Sequence, residues 1–434
     1  MKLNSYDHQI LRIALPAIIT NITIPLLGLV DTAIVGHMGD AAYIGAIAVG
    51  SMMFNLVYWI FGFLRMGTSG LTAQARGRRN MEEMSGMLHT SMKTALTIST
   101  LLLLLQIPLC ELLLWFISPT ADVRPLAVTY YHIVVWGSPA VLGLYGLTGW
   151  FIGMQNTRLP MLISILQNVV NILASLTLVY GFGMKVEGVA LGTLIAQYAG
   201  FLVAASLLWK YYKRLVVRDK RLEDSPRGDV SLTTFLQVNR DIFLRTLCLV
   251  AVNLYFTSLG ARQGAIILAV NALLMQLYLL FSYILDGFAY AGEALGGRYW
   301  GAQNDTAFRT VVKRLFGWGV LMTILFTLTY TIGGTSFLSL LTNDSGVIAA
   351  SREYIWWACL VPVCGVAAFI WDGIFIGITE TRGMLLSSAA ATFLFFVTAL
   401  LLIPLWGNHG LWLAMLLYLV TRGVVQTVIY LERY

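Results

Sequence analysis

The 434-residue chain carries only 49 charged side chains, 28 basic and 21 acidic, or 11%, while 58% of its residues are hydrophobic. An ordinary soluble protein is about 25% charged, and charge this sparse cannot cover the surface of a 48 kDa body in water. A soluble globule is therefore excluded, and a bilayer, where an apolar surface needs no cover, is the expected setting.

A helical span needs about 20 mainly apolar residues. Twelve such stretches, ended by Gly, Pro or charge clusters, follow one another along the chain. They run roughly Ile10 to Gly36, Ala41 to Gly67, Gly86 to Ile117, Ala127 to Gly149, Pro160 to Gly181 and Gly188 to Trp209, then Phe243 to Gly260, Ile266 to Leu295, Val311 to Gly333, Tyr354 to Gly377, Leu385 to Trp406 and Leu411 to Leu431. The run after the polar Met1 to Gln9 is too long for a cleaved signal peptide and is expected as a retained first span.

With both termini in the cytoplasm, the even-numbered connections carry Arg76, Arg78 and Arg79, then Arg158, the stretch Lys210 to Arg227, Arg298, Arg309, Lys313 and Arg314, and Arg382. Together with Lys2, Arg12, Arg240 and Arg433, 20 of the 28 basic residues fall on that side, against Arg124, Lys185, Arg262 and Arg352 outside. The positive-inside rule selects this orientation. The net charge of +7 is thus a topology signal, and nucleic-acid binding loses its main support.

The longest polar segment, Lys210 to Asp229, falls between six spans and six spans. It divides the chain into an amino-terminal lobe over 1–209, a basic cytoplasmic linker over 210–235 and a carboxy-terminal lobe over 236–434. A self-comparison at an offset of 224 supports the division: GWFIGMQNTR at Gly149 to Arg158 lies over GIFIGITETR at Gly373 to Arg382. The same offset pairs Gly36 with Gly260, Ala48 with Ala272, Gly77 with Gly301 and Asn80 with Asn304, and a one-residue shift pairs Tyr131 with Tyr354 and Pro139 with Pro362. Six spans per half is even, so the expected fold is an all-α membrane protein. Its two six-helix lobes are related by a pseudo-twofold axis along the bilayer normal, with a cavity between them.

Duplication accounts for matched positions and leaves four embedded acids unmatched: Asp31 lies over Tyr255, Asp286 over Gly62, Glu293 over Ser69 and Asp372 over Thr148. A charged residue at the centre of a span costs about 2.5–3.5 kcal/mol on insertion scales and usually marks a pathway, a proton relay or an ion site. Asp31 follows Pro16 and Pro25. Each proline removes an amide donor, so this helix is able to bend, and a bendable helix with one carboxylate is a candidate gate for proton coupling; an interfacial acid is the alternative.

Asp286 and Glu293 are two turns apart on one helical face, and Asp372 sits inside the tenth span. These three are candidates to line a substrate cavity or bind a second cation, or else to form structural pairs with Arg245 or Arg298. Asn168, Asn171 and Ser175 form a polar stripe on the fifth span, either a coupling site or interhelical glue. The four cysteines show no CxxC pair and the five histidines no ligand spacing. No metal or cofactor is expected. GxxxxGK[ST], HExxH and GxSxG are all lacking, which argues against ATP-driven pumping and against an enzyme.

Five segments, ALP at 14–16 with VDTAIVGH at 30–37, NRDIFLRT at 239–246, LDGFAYAGEAL at 285–295 and WDGIFIG at 371–377, resemble the multidrug and toxic compound extrusion (MATE) family, most closely its bacterial DNA-damage-inducible F branch. The resemblance covers essentially the whole chain. It implies a V-shaped, twelve-helix antiporter of the bacterial cytoplasmic membrane, exporting amphipathic, often cationic small molecules in exchange for protons or sodium ions and working as a monomer among membrane lipids. It also implies that Asp31 couples the cation, with Asn171 and Thr193 at the same site and the helix bend at Pro16, and that Asp372 belongs to a carboxy-terminal cation or substrate site. Where many relatives place a second acid in the fifth span, this chain has Ser175. A single carboxylate suits a proton better than a sodium ion, which favours several oxygen ligands and negative charge. The competing function is a lipid or lipid-linked precursor flippase of the related superfamily, for which more cationic side chains in the cavity are expected.

Overall fold

The computed structural model describes residues 4–36, 41–218, 232–341 and 344–434. All regular structure in them is helical. We number the spans α1 (Ser5–Gly36), α2 (Ala42–Gly77), α3 (Met81–Leu104 continued by Gln106–Ile117), α4 (Arg124–Gly153), α5 (Arg158–Gly181), α6 (Val186–Lys213), α7 (Thr233–Arg262), α8 (Ala265–Gly301), α9 (Asp305–Gly334), α10 (Ser345–Ile378), α11 (Thr381–Trp406) and α12 (Asn408–Arg433). Among the described residues ten of these are long and apolar enough to cross a bilayer, eleven with α3 taken as one span. With the 32-residue α1 the expected twelve are present.

The third span departs from its expected continuous course over Gly86 to Ile117. Its two pieces meet at 74°. The cause is in the sequence: Pro108 has no amide hydrogen to give the Leu104 carbonyl, and its ring crowds that turn, so the helix breaks at Leu105. Other helices overrun their apolar cores. Of the linker expected over 210–235, residues 219–231 lie outside the described residues, while 210–218 continue α6 as helix.

The chain forms two compact units, Ile19–Leu236 and Met1–Ile18 with Gln237–Tyr434, called here the amino and carboxy units. The first turns of α1 therefore belong to the carboxy unit. Asp7, with no exposed surface, accepts hydrogen bonds from the Asn4 amide, Arg314 and the Trp318 indole at 2.9, 3.3 and 3.1 Å. A buried carboxylate is tolerated only when so satisfied.

Each unit repeats the other in detail. Arg79 and Gln303 both take left-handed backbone, as do Gln155 and Thr379, and each pair is 224 apart. Asn80 and Asn304 both cap the following helix, accepting from Glu83 N at 3.1 Å and Ala307 N at 3.0 Å. The repeated GxxxG sequences do the same work twice. A Cβ at Gly149 or Gly153 would stand 2.3 Å from the Arg65 carbonyl oxygen or 2.6 Å from that of Ser69, and one at Gly373 or Gly377 would stand 2.2 Å from the Ala289 oxygen or 2.8 Å from that of Glu293. Small residues thus let α4 cross α2, and α10 cross α8, backbone to backbone. Close approach of this kind is what holds helices together where lipid removes the hydrophobic drive.

Candidate functional site

In the amino unit the polar residues of α1, α4, α5 and α6 converge. Asp31 is only 4% exposed, and its Oδ1 has no hydrogen-bond partner among the described residues. Asn171, fully buried on α5, donates through Nδ2 to Thr193 Oγ1 at 3.2 Å. The Tyr130 hydroxyl on α4 lies against the hydroxyls of Thr193 and Ser51 and within electrostatic reach of the Asp31 carboxylate. Tyr130 thus stands beside the Asn171–Thr193 pair and within electrostatic reach of Asp31. Ser175 is buried one turn beyond Asn171, packed against Gly192, where a Cβ would meet its hydroxyl at 2.2 Å.

Three buried oxygens here, Asp31 Oδ1, Asn171 Oδ1 and Ser175 Oγ, have no partner among the described residues. Buried polar atoms are satisfied in the great majority of cases, so such a group of acceptors calls for an explanation. Each is able to accept from a proton donor or a cation.

Asn168 has a different role from its neighbours on the stripe. Its Nδ2 donates to the Thr23 carbonyl of α1 at 2.9 Å, and the Tyr180 hydroxyl donates to the Ile34 carbonyl at 3.3 Å. Helix α5 therefore grips α1 on both sides of Asp31. Between the grips lies Pro25, whose ring nitrogen carries no hydrogen to donate within α1. Pro16 is buried nearer the amino terminus, and α1 is helical through both prolines.

The carboxy unit brings a second set together. Asp372 accepts from Arg422 and Arg245 at the same oxygen, Oδ2, and from Gln426 Nε2 at Oδ1, 2.8 Å away. Of the two arginines considered as its partners, Arg245 is in place and Arg298 lies instead over the Tyr299 ring, 5.4 Å from its centre. Arg422 was not anticipated. Asp286 is half-buried, accepts from Ser282 Oγ at 3.4 Å and acts on Tyr278 together with Asp372 and Arg422. Glu293 is buried in a π-helical turn, Gly292–Gly296, within the α8–α10 crossing. No group of three or more metal-ligating side chains occurs among the described residues.

Comparison with known proteins places this architecture. The MatE family model matches residues 16–177 and 242–401, one block in each half of the chain. The DNA damage-inducible protein F of Escherichia coli (strain K12) is 37% identical over 422 residues, 97% of this chain and 91% of that protein. A probable multidrug resistance protein NorM of Thermotoga maritima is 24% identical over 98% of this chain and 92% of its own length. A crystal structure of MATE in the bent conformation has the same fold, with a TM-score of 0.88 at 18% identity over 99% of this chain and 96% of that one. The chain belongs to the MatE family and is a multi-pass membrane protein homologous to multidrug-type transporters.

Proposed function

We propose that the protein is a proton-coupled exporter that moves amphipathic small molecules out of the cytoplasm, working as a single chain in the bacterial cytoplasmic membrane with both termini inside. The observation that carries this reading is the buried Oδ1 of Asp31, which has no partner among the described residues and lies within electrostatic reach of Tyr130. A lone carboxylate becomes neutral on taking one proton, and burial makes that change of charge energetically large. Protonation from the outer side removes the charge from α1 and favours a bend of that helix, which drives substrate outward. Release of the proton inward resets the helix. Ser175, in place of a second acid, leaves one formal negative charge at the site and favours the proton over sodium.

The test is substrate-dependent proton release from proteoliposomes holding the purified protein. Export coupled to protons gives a pH change that scales with substrate, whereas a flippase gives none. Within this mechanism Tyr130→Phe, which deletes only the hydroxyl beside Thr193 and Ser51, is expected to slow transport about tenfold, roughly the 1–1.5 kcal/mol of a hydrogen bond to a polar partner. Wild-type rates from that variant would remove Tyr130 from the site.

A further inference from the structure

The resemblance points to substrates that are often cationic, but the charge of the carboxy unit points the other way. We infer that Arg245 and Arg422, with Asp372 as their shared counter-ion, form a recognition site for the anionic group of an amphipathic substrate: a carboxylate, sulfonate or phosphate. This deepens the export reading by naming the charge of what is carried.

The argument starts from the charge count. Arg245 and Arg422 are 5% and 2% exposed and stand mid-span on α7 and α12, where an arginine is costly unless it has a use. Both reach a single carboxylate oxygen, Asp372 Oδ2, so in direct contact two positive charges share one negative charge. The other oxygen of Asp372 accepts from Gln426, so three donors already engage the acid and its charge is drawn toward the two arginines. Both arginine Nε–H donors have no acceptor among the described residues. The remaining ionisable groups around the cluster, among the described residues, are Asp286 and Tyr278 from α8, Tyr418 from α12 and the Cys248 thiol from α7. Asp286, the one further acid, moderates the positive field without cancelling it at the guanidinium groups.

The chemistry of the site matches an oxyanion. Guanidinium forks bind carboxylates, sulfonates and phosphates through paired N–H donors, and the Arg422 fork is held over the Tyr418 ring at 5.5 Å, a cation–π contact that fixes its plane. The cluster is not sealed: the Asp372 side chain is 11% and that of Arg245 6% exposed, and Tyr278 and Asp286 beside it are half-buried. Aromatic rings next to the cations suit the apolar part of the same ligand.

Equilibrium binding to the full-length protein in a nonionic detergent tests this, because it reads no ion coupling and can fail while proton-coupled transport stands. The probes are decanesulfonate and decyltrimethylammonium, which share a tail and differ in charge, with dihexanoyl-phosphatidylglycerol as the lipid headgroup. The wild type is expected to prefer decanesulfonate over decyltrimethylammonium by tenfold or more. Arg245→Gln and Arg422→Gln should each weaken the sulfonate about tenfold, and Asp372→Asn should strengthen it severalfold. A purely structural ion pair would not give opposite signs on its two sides. Tighter binding of the phosphatidylglycerol assigns the anion to a lipid headgroup, and tighter binding of the sulfonate assigns it to a free amphipath. Equal wild-type affinities for the two charges overturn the proposal without any variant having to fold, and so does weakening of the sulfonate by Asp372→Asn.

Discussion

Asp31→Asn is expected to bring substrate-coupled proton movement down at least a hundredfold, to the level of protein-free liposomes, while the protein still inserts and runs as a single species in detergent. Asparagine has the shape of the aspartate and cannot exchange a proton, so the variant isolates the charge. Folding should suffer little, within about 1 kcal/mol, because Oδ1 of Asp31 has no hydrogen bond among the described residues to lose. Thermal unfolding in detergent checks the second half of the statement and proteoliposome flux the first. Normal efflux from this variant would contradict the mechanism, since among the described residues Asp31 is the acid given within electrostatic reach of Tyr130 beside the Asn171–Thr193 pair.

The second large effect concerns the fold. Gly373→Ala is expected to destabilise the carboxy unit by about 3 kcal/mol or more, at the upper end of overpacking costs. The added carbon would stand 2.2 Å from the Ala289 carbonyl oxygen and 2.5 Å from its Cα, and backbone cannot swing aside as a side chain does. Gly149→Ala should do the same to the amino unit, where the obstacle is the Arg65 carbonyl at 2.3 Å. Gly86→Ala is the control: nothing lies within 4 Å of its added carbon, and an alanine inside a helix is favoured over glycine by about 0.5–1 kcal/mol. Melting temperatures of the three purified variants decide the matter, and equal values would show that the crossings are looser than the contacts require.

Much of this was legible in the sequence because the bilayer imposes a simple rule. Span length and the end signals of Gly, Pro and charge located the helices, and the 224-residue offset proved to match left-handed helix ends, caps and glycine crossings pair by pair. Pro108 was visible too, but the apolar run around it hid the break, since composition does not show where a carbonyl loses its donor. Embedded acids stood out by their cost, which is how Asp31 and Asp372 were found. Tyr130 and Ser51 gave no such signal, because a hydroxyl in a span is cheap and tyrosines are common there. The pairing of Asp372 with Arg422 depends on the rotation of α12 against α10, a tertiary fact that neither helix carries in its own sequence. The first turns of α1 packing with the carboxy unit through Asp7 are of the same kind.

The central proposal, that one carboxylate on α1 exchanges protons for substrate, meets its most direct test in reconstituted protein under an imposed pH gradient in sodium-free buffer. The proposal predicts substrate transport at the full rate, unchanged when sodium is added. Transport that stays absent under the pH gradient and begins only with a sodium gradient would contradict it.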